Sequence, residues 1–238
     1  MRNAWHVARR ELYAYFSSPI AYVTMAAFLG VTGLLFYLIL VFVQQAVIAP
    51  VIGSGWVIFM VILFGAVVTM RQLAEEQRSG TVELLLTAPV RDWEVVVGKY
   101  LSGLGLFALM LVISLYQPFV LVRVGNPDVG VMLSSYVGFF LLGAAVLAIG
   151  TMTSTFTSNQ VVAAILAIAF GTGLWLAEPL GRRLSGTLGE FVGRLAILPY
   201  YYDFLDGVIS TRNVVYYLSL VVVSLFVATQ VLQTRRWR

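Results

Sequence analysis

Residues 12–70 read LYAYFSSPIAYVTMAAFLGVTGLLFYLILVFVQQAVIAPVIGSGWVIFMVILFGAVVTM, without one charged side chain. A bilayer crossing takes about 20 apolar residues, so this run is too long for one span and fits a hairpin of two. Gln44, Gln45, Pro50, Gly53 and Ser54 mark the turn, which predicts spans over 20–43 and 51–70. Working outward, Lys99 and Arg123 bound a third span at 100–122. A second uncharged run, 129–177, is divided by the polar stretch 151–160 into spans at 130–150 and 161–177. The sixth, 213–232, runs directly into Arg235, Arg236 and Arg238.

Composition agrees with the spans. The chain has 238 residues, of which 60% are hydrophobic and 11% charged, with a mean hydropathy of +0.91. Soluble domains carry about 25% charged residues, and a chain this apolar cannot hide its surface inside one globule. There is no cysteine, which excludes disulfide scaffolds, cysteine-ligated metals and thiol nucleophiles, and the lone His6 cannot build a histidine metal cluster. The net charge of +4 comes from 14 arginines and the single Lys99. With the N-terminus inside, ten of these 15 cations fall on cytoplasmic segments and five on external ones. Both termini are therefore expected in the cytoplasm, and the basic balance reports topology rather than nucleic-acid binding.

Residues 1–19 do not form a cleavable signal peptide, because the apolar run that follows is too long and lacks a small-residue cleavage site. Trp5, Ala8, Leu12, Tyr15 and Phe16 recur at helical spacing, with Arg2, His6, Arg9 and Arg10 largely on the other face. This predicts an amphipathic helix lying in the membrane interface, ended by Ser17-Ser18-Pro19. The external loop 178–212 carries Leu195, Ile197 and Leu198 and then Tyr200-Tyr201-Tyr202, a run suited to an interfacial aromatic belt. A short helix dipping into the outer leaflet is expected within 188–204.

The spans contain no ionisable residue, which argues against ion coupling or a proton relay. Gln117, Ser114, Gln160 and Gln230 are read as interhelical hydrogen-bonding groups. Gly98-Lys99 lacks the upstream glycine of a phosphate loop, so no nucleotide site of that kind is present. Intramembrane serine or aspartyl protease constellations are absent as well. No catalytic residue, cofactor or metal ligand is expected in this chain. Glycines at 30/33, 103/105, 138/143 and 171/173 predict close helix packing. An uncharged bundle suits an amphipathic or large cargo, such as a lipid-linked glycan, a hydrophobic peptide or a lipid.

The cytoplasmic loop 71–99 carries the functional signal. The second span continues through Gln77 and stops at Ser79-Gly80. Thr81 can cap a short helix with Glu83 in its first turn, Pro89 ends it, and Asp92 can cap the helix that leads through Lys99 into the third span. Leu84, Leu85 and Leu86 need a partner, either the bilayer surface or another protein.

The segment Glu76-x-x-x-Gly80-Thr81-x-Glu83-Leu84-Leu85, followed by Thr87-x-Pro89-Val90 and Gly98-Lys99, resembles the coupling region of ABC-2 type permeases. Tyr202-Asp203-Phe204-x-x-Gly207-Val208-Ile209, the later Arg212-x-Val214-Val215-Tyr216-Tyr217-Leu218-Ser219 and the closing Arg235-Arg236-Trp237 are similar to permeases of the gliding-motility exporter group. That group often has His-Phe-Glu where this chain has Tyr202-Asp203-Phe204. The resemblance covers essentially the whole chain. It implies an all-α integral membrane protein of the ABC-2 (type V exporter-like) permease fold, with six transmembrane helices and an N-terminal interfacial helix, in the cytoplasmic (inner) membrane. It further implies pairing with a second permease subunit, identical or homologous. Two separate ATP-binding subunits would hold ATP and Mg. They would dock on Glu76, Gly80, Thr81, Glu83, Leu84, Leu85, Leu86 and Pro89, with the two glutamates facing basic groups of the ATPase. A non-transporting scaffold that recruits a soluble partner shares the docking loop and is the alternative. A secondary transporter is disfavoured by the absence of intramembrane charge and of an inverted repeat.

Overall fold

The computed structural model describes residues 2–43, 47–79, 91–184 and 186–236. Among the described residues there are twelve helices and no strand. The N-terminal half holds α1 (Arg2–Phe16), α2 (Pro19–Val43), the single turn α3 (Ala49–Ile52), α4 (Gly55–Thr69), α5 (Ala74–Ser79) and α6 (Asp92–Ser114). Next come α7 (Tyr116–Val124), α8 (Val129–Phe156) and α9 (Gln160–Arg183). The chain closes with α10 (Thr187–Leu195), α11 (Leu198–Leu205) and α12 (Thr211–Arg236). Six segments among the described residues are long and apolar enough to cross a membrane: Pro19–Phe42, Gly55–Arg78, Asp92–Val124, Val129–Phe156, Gln160–Arg183 and Thr211–Thr234. That is the number expected from the charge gaps. Leu73 and Val96 cluster with Ala228 and Leu232, and Gly98 of α6 meets Ala4 and Val7 of α1, so α1, the start of α6 and the end of α12 share one end of the bundle, here the terminal end.

Short polar caps set the helix starts. Asp128 Oδ1 accepts from the N–H groups of Gly130 (2.8 Å) and Val131 (3.2 Å), and Asn159 Oδ1 accepts from Val161 N–H (2.9 Å). The expected cap at Asp92 shifts by one residue, because Asp92 is already helical and Glu94 reaches back to accept from Arg91 N–H at 3.2 Å. The polar stretch 151–160 does not end α8 where expected. The hydroxyls of Thr153, Ser154 and Thr155 donate to their own helix carbonyls three residues back, so the helix runs on to Phe156.

Helix α8 is the buried axis, flanked by α4, α6, α9, α11 and α12. In lipid, helices associate through close packing rather than burial of apolar surface, so small residues decide how near they come. A Cβ at Gly143 would overlap the Phe107 ring of α6, and one at Gly150 would overlap Thr69 of α4. Of the glycines picked out from sequence, Gly138 and Gly143 sit in such contacts, whereas Gly30 and Gly173 face open space. Phe28, Phe139, Phe107 and Phe64 form a chain of rings at centroid distances of 6.1, 6.0 and 5.9 Å, linking α2, α8, α6 and α4 through the middle of the bundle. The outer faces of α2, α9 and α12 expose apolar side chains such as Val23, Ile165 and Val222, the surface that a bilayer covers.

The packing adds detail to two expectations. Helix α1 is not simply laid in the interface: Ala4 and Ala8 are buried and α1 runs along α6, leaving Trp5 and Phe16 exposed. The contact requires Gly98, where a Cβ would lie 2.7 Å from the Ala4 carbonyl oxygen and 2.8 Å from Val7 Cβ. At the other end of the bundle α9 runs on to Arg183 and α12 begins at Thr211, so the expected external loop 178–212 holds α10 and α11 between them, and α11 re-enters the core. Tyr201 is fully buried, its hydroxyl donating to Ile52 O at 3.1 Å, while Ser134 Oγ donates to Phe204 O at 2.8 Å. Of the tyrosine run, only Tyr202 is exposed enough to join an aromatic belt, because helical geometry turns its neighbour inward.

Candidate functional site

Of the eight residues expected to dock a partner, Glu76 is described, and Gly80, Thr81, Glu83, Leu84, Leu85, Leu86 and Pro89 lie outside the described residues. Glu76 sits on α5, the short helix that resumes after α4. Between them the chain tightens over 70–73, where Gln72 N–H donates to Thr69 O at 3.0 Å, an i→i+3 bond. This turn aims the Gln72 side chain into the bundle and brings Glu76 over α6.

Glu76 Oε1 lies 2.8 Å from Lys99 Nζ. The same ammonium reaches Glu11 Oε1 of α1 at 3.2 Å, and Arg10 closes the cluster at 3.1 Å from Glu11 and 3.8 Å from Glu76. Among the described residues, two cations thus face two carboxylates. The Lys99 side chain is 2% exposed, and those of Glu76 and Glu11 are 16% and 18% exposed. Taking an ammonium this far out of water is costly, and the paired carboxylates offset that cost.

A second layer of hydrogen bonds lies beneath. Gln72 Nε2 donates to Lys99 O (2.8 Å) and to the Tyr15 hydroxyl (3.2 Å), while Thr151 Oγ1 donates to Gln72 Oε1 (2.8 Å). The Tyr15 hydroxyl donates in turn to Val68 O at 2.9 Å. Burial pushes that hydroxyl well above its ordinary value, so it stays a donor. Nearby, Gln77 Nε2 donates to Thr155 O (3.1 Å) and Asn3 Nδ2 to Glu94 Oε2 (3.2 Å). The cluster therefore joins α1, the α4–α5 junction, α6 and the end of α8 at one point. It includes side chains from both helices that flank residues 80–90.

Glu11, Gln72 and Thr151 were not picked out from sequence, and Tyr15 and Lys99 were read as an apolar-face residue and as part of the Gly98-Lys99 pair rather than as members of a cluster. Lys99 reads as the boundary charge of a span, and its partners lie 23 and 88 positions away. The available signal was its identity, as the single lysine in a chain whose other cations are all arginine. Among the described residues, no group of three or more His, Asp or Glu side chains could hold a metal ion.

The family model described as "ABC-2 family transporter protein" matches residues 13–181. No curated protein matches the chain.

Proposed function

This chain belongs to the ABC-2 family of transporter proteins, and on that premise we propose that this membrane-spanning permease is a subunit of an ATP-driven exporter. It pairs with a second permease subunit, identical or homologous, around a translocation path. Two separate ATP-binding subunits dock on the terminal end of the bundle and hydrolyse ATP with Mg. That end faces the cytoplasm, in keeping with the ten cations on its segments, and the membrane is the cell's cytoplasmic membrane. Residues Gly80, Thr81, Glu83, Leu84, Leu85, Leu86 and Pro89 make the contact with the ATPase, the leucines supplying apolar area and Glu83 a charge for a basic groove. Glu76, at the root of this segment, hands the resulting movement to Lys99 and so to α6.

The observation that best supports this reading is the Lys99 ammonium held between Glu76 of α5 and Glu11 of α1. A docking segment with rigidly joined roots can act as a transmission element, which a passive recruiting scaffold does not need. The test is co-purification from native-host membranes of the tagged wild type and of a Glu83→Arg, Leu85→Ala variant. Glu76 is left intact so that the internal ion pair survives. The expected result is a co-eluting protein with vanadate-sensitive ATP hydrolysis, lost from the variant while its thermal stability is unchanged. Failure to recover an ATPase with the wild type under several extraction conditions would overturn the exporter reading and favour the scaffold.

A further inference from the structure

At the end of the bundle opposite the termini, a cleft of about 660 Å³ opens between α10, α11 and the start of α12, lined by Glu190, Arg194, Tyr200, Asp203, Arg212 and Asn213. Its cations and carboxylates are engaged unequally. Asp203 Oδ2 accepts from Asn213 Nδ2 at 2.8 Å, and Glu190 and Arg194 form an exposed i,i+4 pair at 3.6 Å. Arg212 has no carboxylate in ion-pairing reach among the described residues, and its guanidinium instead lies over the Tyr200 ring at 5.4 Å. Tyr200 is stacked on Tyr216 at a centroid distance of 3.9 Å and 15° between planes. Tyr216 is fixed by donating from its hydroxyl to Leu195 O at 2.7 Å, and Tyr200 donates to Arg194 O at 3.4 Å.

Two clamped rings thus lie under a guanidinium that, among the described residues, has no carboxylate in ion-pairing reach, although Glu190 and Asp203 line the same cleft. A guanidinium over an aromatic ring spends none of its N–H donors on that contact, which leaves them for a planar or tetrahedral oxyanion. The depth of the cleft is set by α10. Leu188, Phe191 and Leu195 lie on one face of that helix and are 71%, 62% and 42% exposed, as on a helix resting in the bilayer surface. The cleft mouth therefore sits beside the headgroup layer.

We propose that this cleft binds the phosphate group of an amphiphile or of a soluble phosphate ester, with Arg212 as the principal ligand and Arg194 as the second. The site does not depend on ATP coupling, only on the membrane placement of the chain. Arg212 is exposed, so replacing it leaves the bundle intact.

The test uses the full chain in neutral detergent with two probes, dihexanoyl phosphatidylglycerol and inorganic phosphate, and reads binding by native mass spectrometry with competition. Arg212→Gln is expected to weaken binding of the phosphatidylglycerol about tenfold or more, the loss typical of a charge-assisted hydrogen bond. Arg123→Gln removes another arginine, one in the last turn of α7 that rests on Phe119, and is expected to leave binding unchanged. Displacement by inorganic phosphate at similar concentration would assign the site to soluble phosphate esters, and its failure to displace would assign it to lipid headgroups. Wild-type affinity in Arg212→Gln, an equal loss in Arg123→Gln, or no binding of either probe would overturn the proposal.

Discussion

Replacing Lys99 with methionine removes the buried cation while keeping the length of the side chain. Glu76 and Glu11 then face each other across the space it leaves. At an effective dielectric of about 20, contacts of 2.8 and 3.2 Å correspond to gross attractions of about 6 and about 5 kcal/mol. Most of this returns as hydration, since the carboxylates retain 16% and 18% exposure and Arg10 stays near both. Truncating one partner of a buried pair typically costs about 3–5 kcal/mol, and the partial exposure places this case near about 3. At about 2–4 °C per kcal/mol for a chain of this size, the unfolding temperature should fall by roughly 6–12 °C. The assay is loss of monodisperse protein in detergent after heating, for wild type, Lys99→Met, Glu76→Gln and the double variant. The double variant should be more stable than the sum of the single losses predicts, by about 1–3 kcal/mol. A Lys99→Met protein that unfolds at the wild-type temperature, or a strictly additive cycle, would refute the buried-pair argument.

Two further outcomes check the packing. Gly143→Ala drives a methyl group into the Phe107 ring and should lose about 1–3 kcal/mol, while Gly173→Ala, which points into open space, should lose none; equal stability of the two variants would contradict the α6–α8 contact. Tyr201→Phe withdraws the hydroxyl that donates to Ile52 O and should cost about 1 kcal/mol, read as a lower unfolding temperature; no shift would mean that α11 is held without that bond.

The number of spans was legible because charge cannot be placed cheaply in hydrocarbon, so the gaps between charged residues mark the crossings. Helix ends were less legible. The polar stretch after Gly150 looks like a break, but threonine and serine hydroxyls can bond their own helix, and three-dimensional packing of α8 decides that they do. Tyr201 was read as an interfacial residue because a run of three tyrosines conceals which of them a helix turns inward. The buried charge cluster was illegible for a different reason. Glu11, Glu76 and Lys99 each flank a span, where solvated charges are ordinary, and only the approach of α1 to α6 at Gly98 brings them together. Within the docking loop, Glu76 alone can be set against geometry, and it faces Lys99 inside the chain.

The Glu76–Lys99 contact also turns an open stretch of chain into a ring. Residues 77–98 leave α5 and return to α6, and the ion pair joins the two ends, so the entropy of bringing those ends together is already spent before anything binds. Under the proposed coupling, a load applied within 77–98 would divide between two spans. The component pulling them apart would be resisted at the Glu76–Lys99 pair, and what passed inward would be a displacement common to both. Lengthening the ring by a few residues should therefore be tolerated by the fold, since closure entropy grows slowly with length, yet it would introduce slack between the point of loading and the helices that must move.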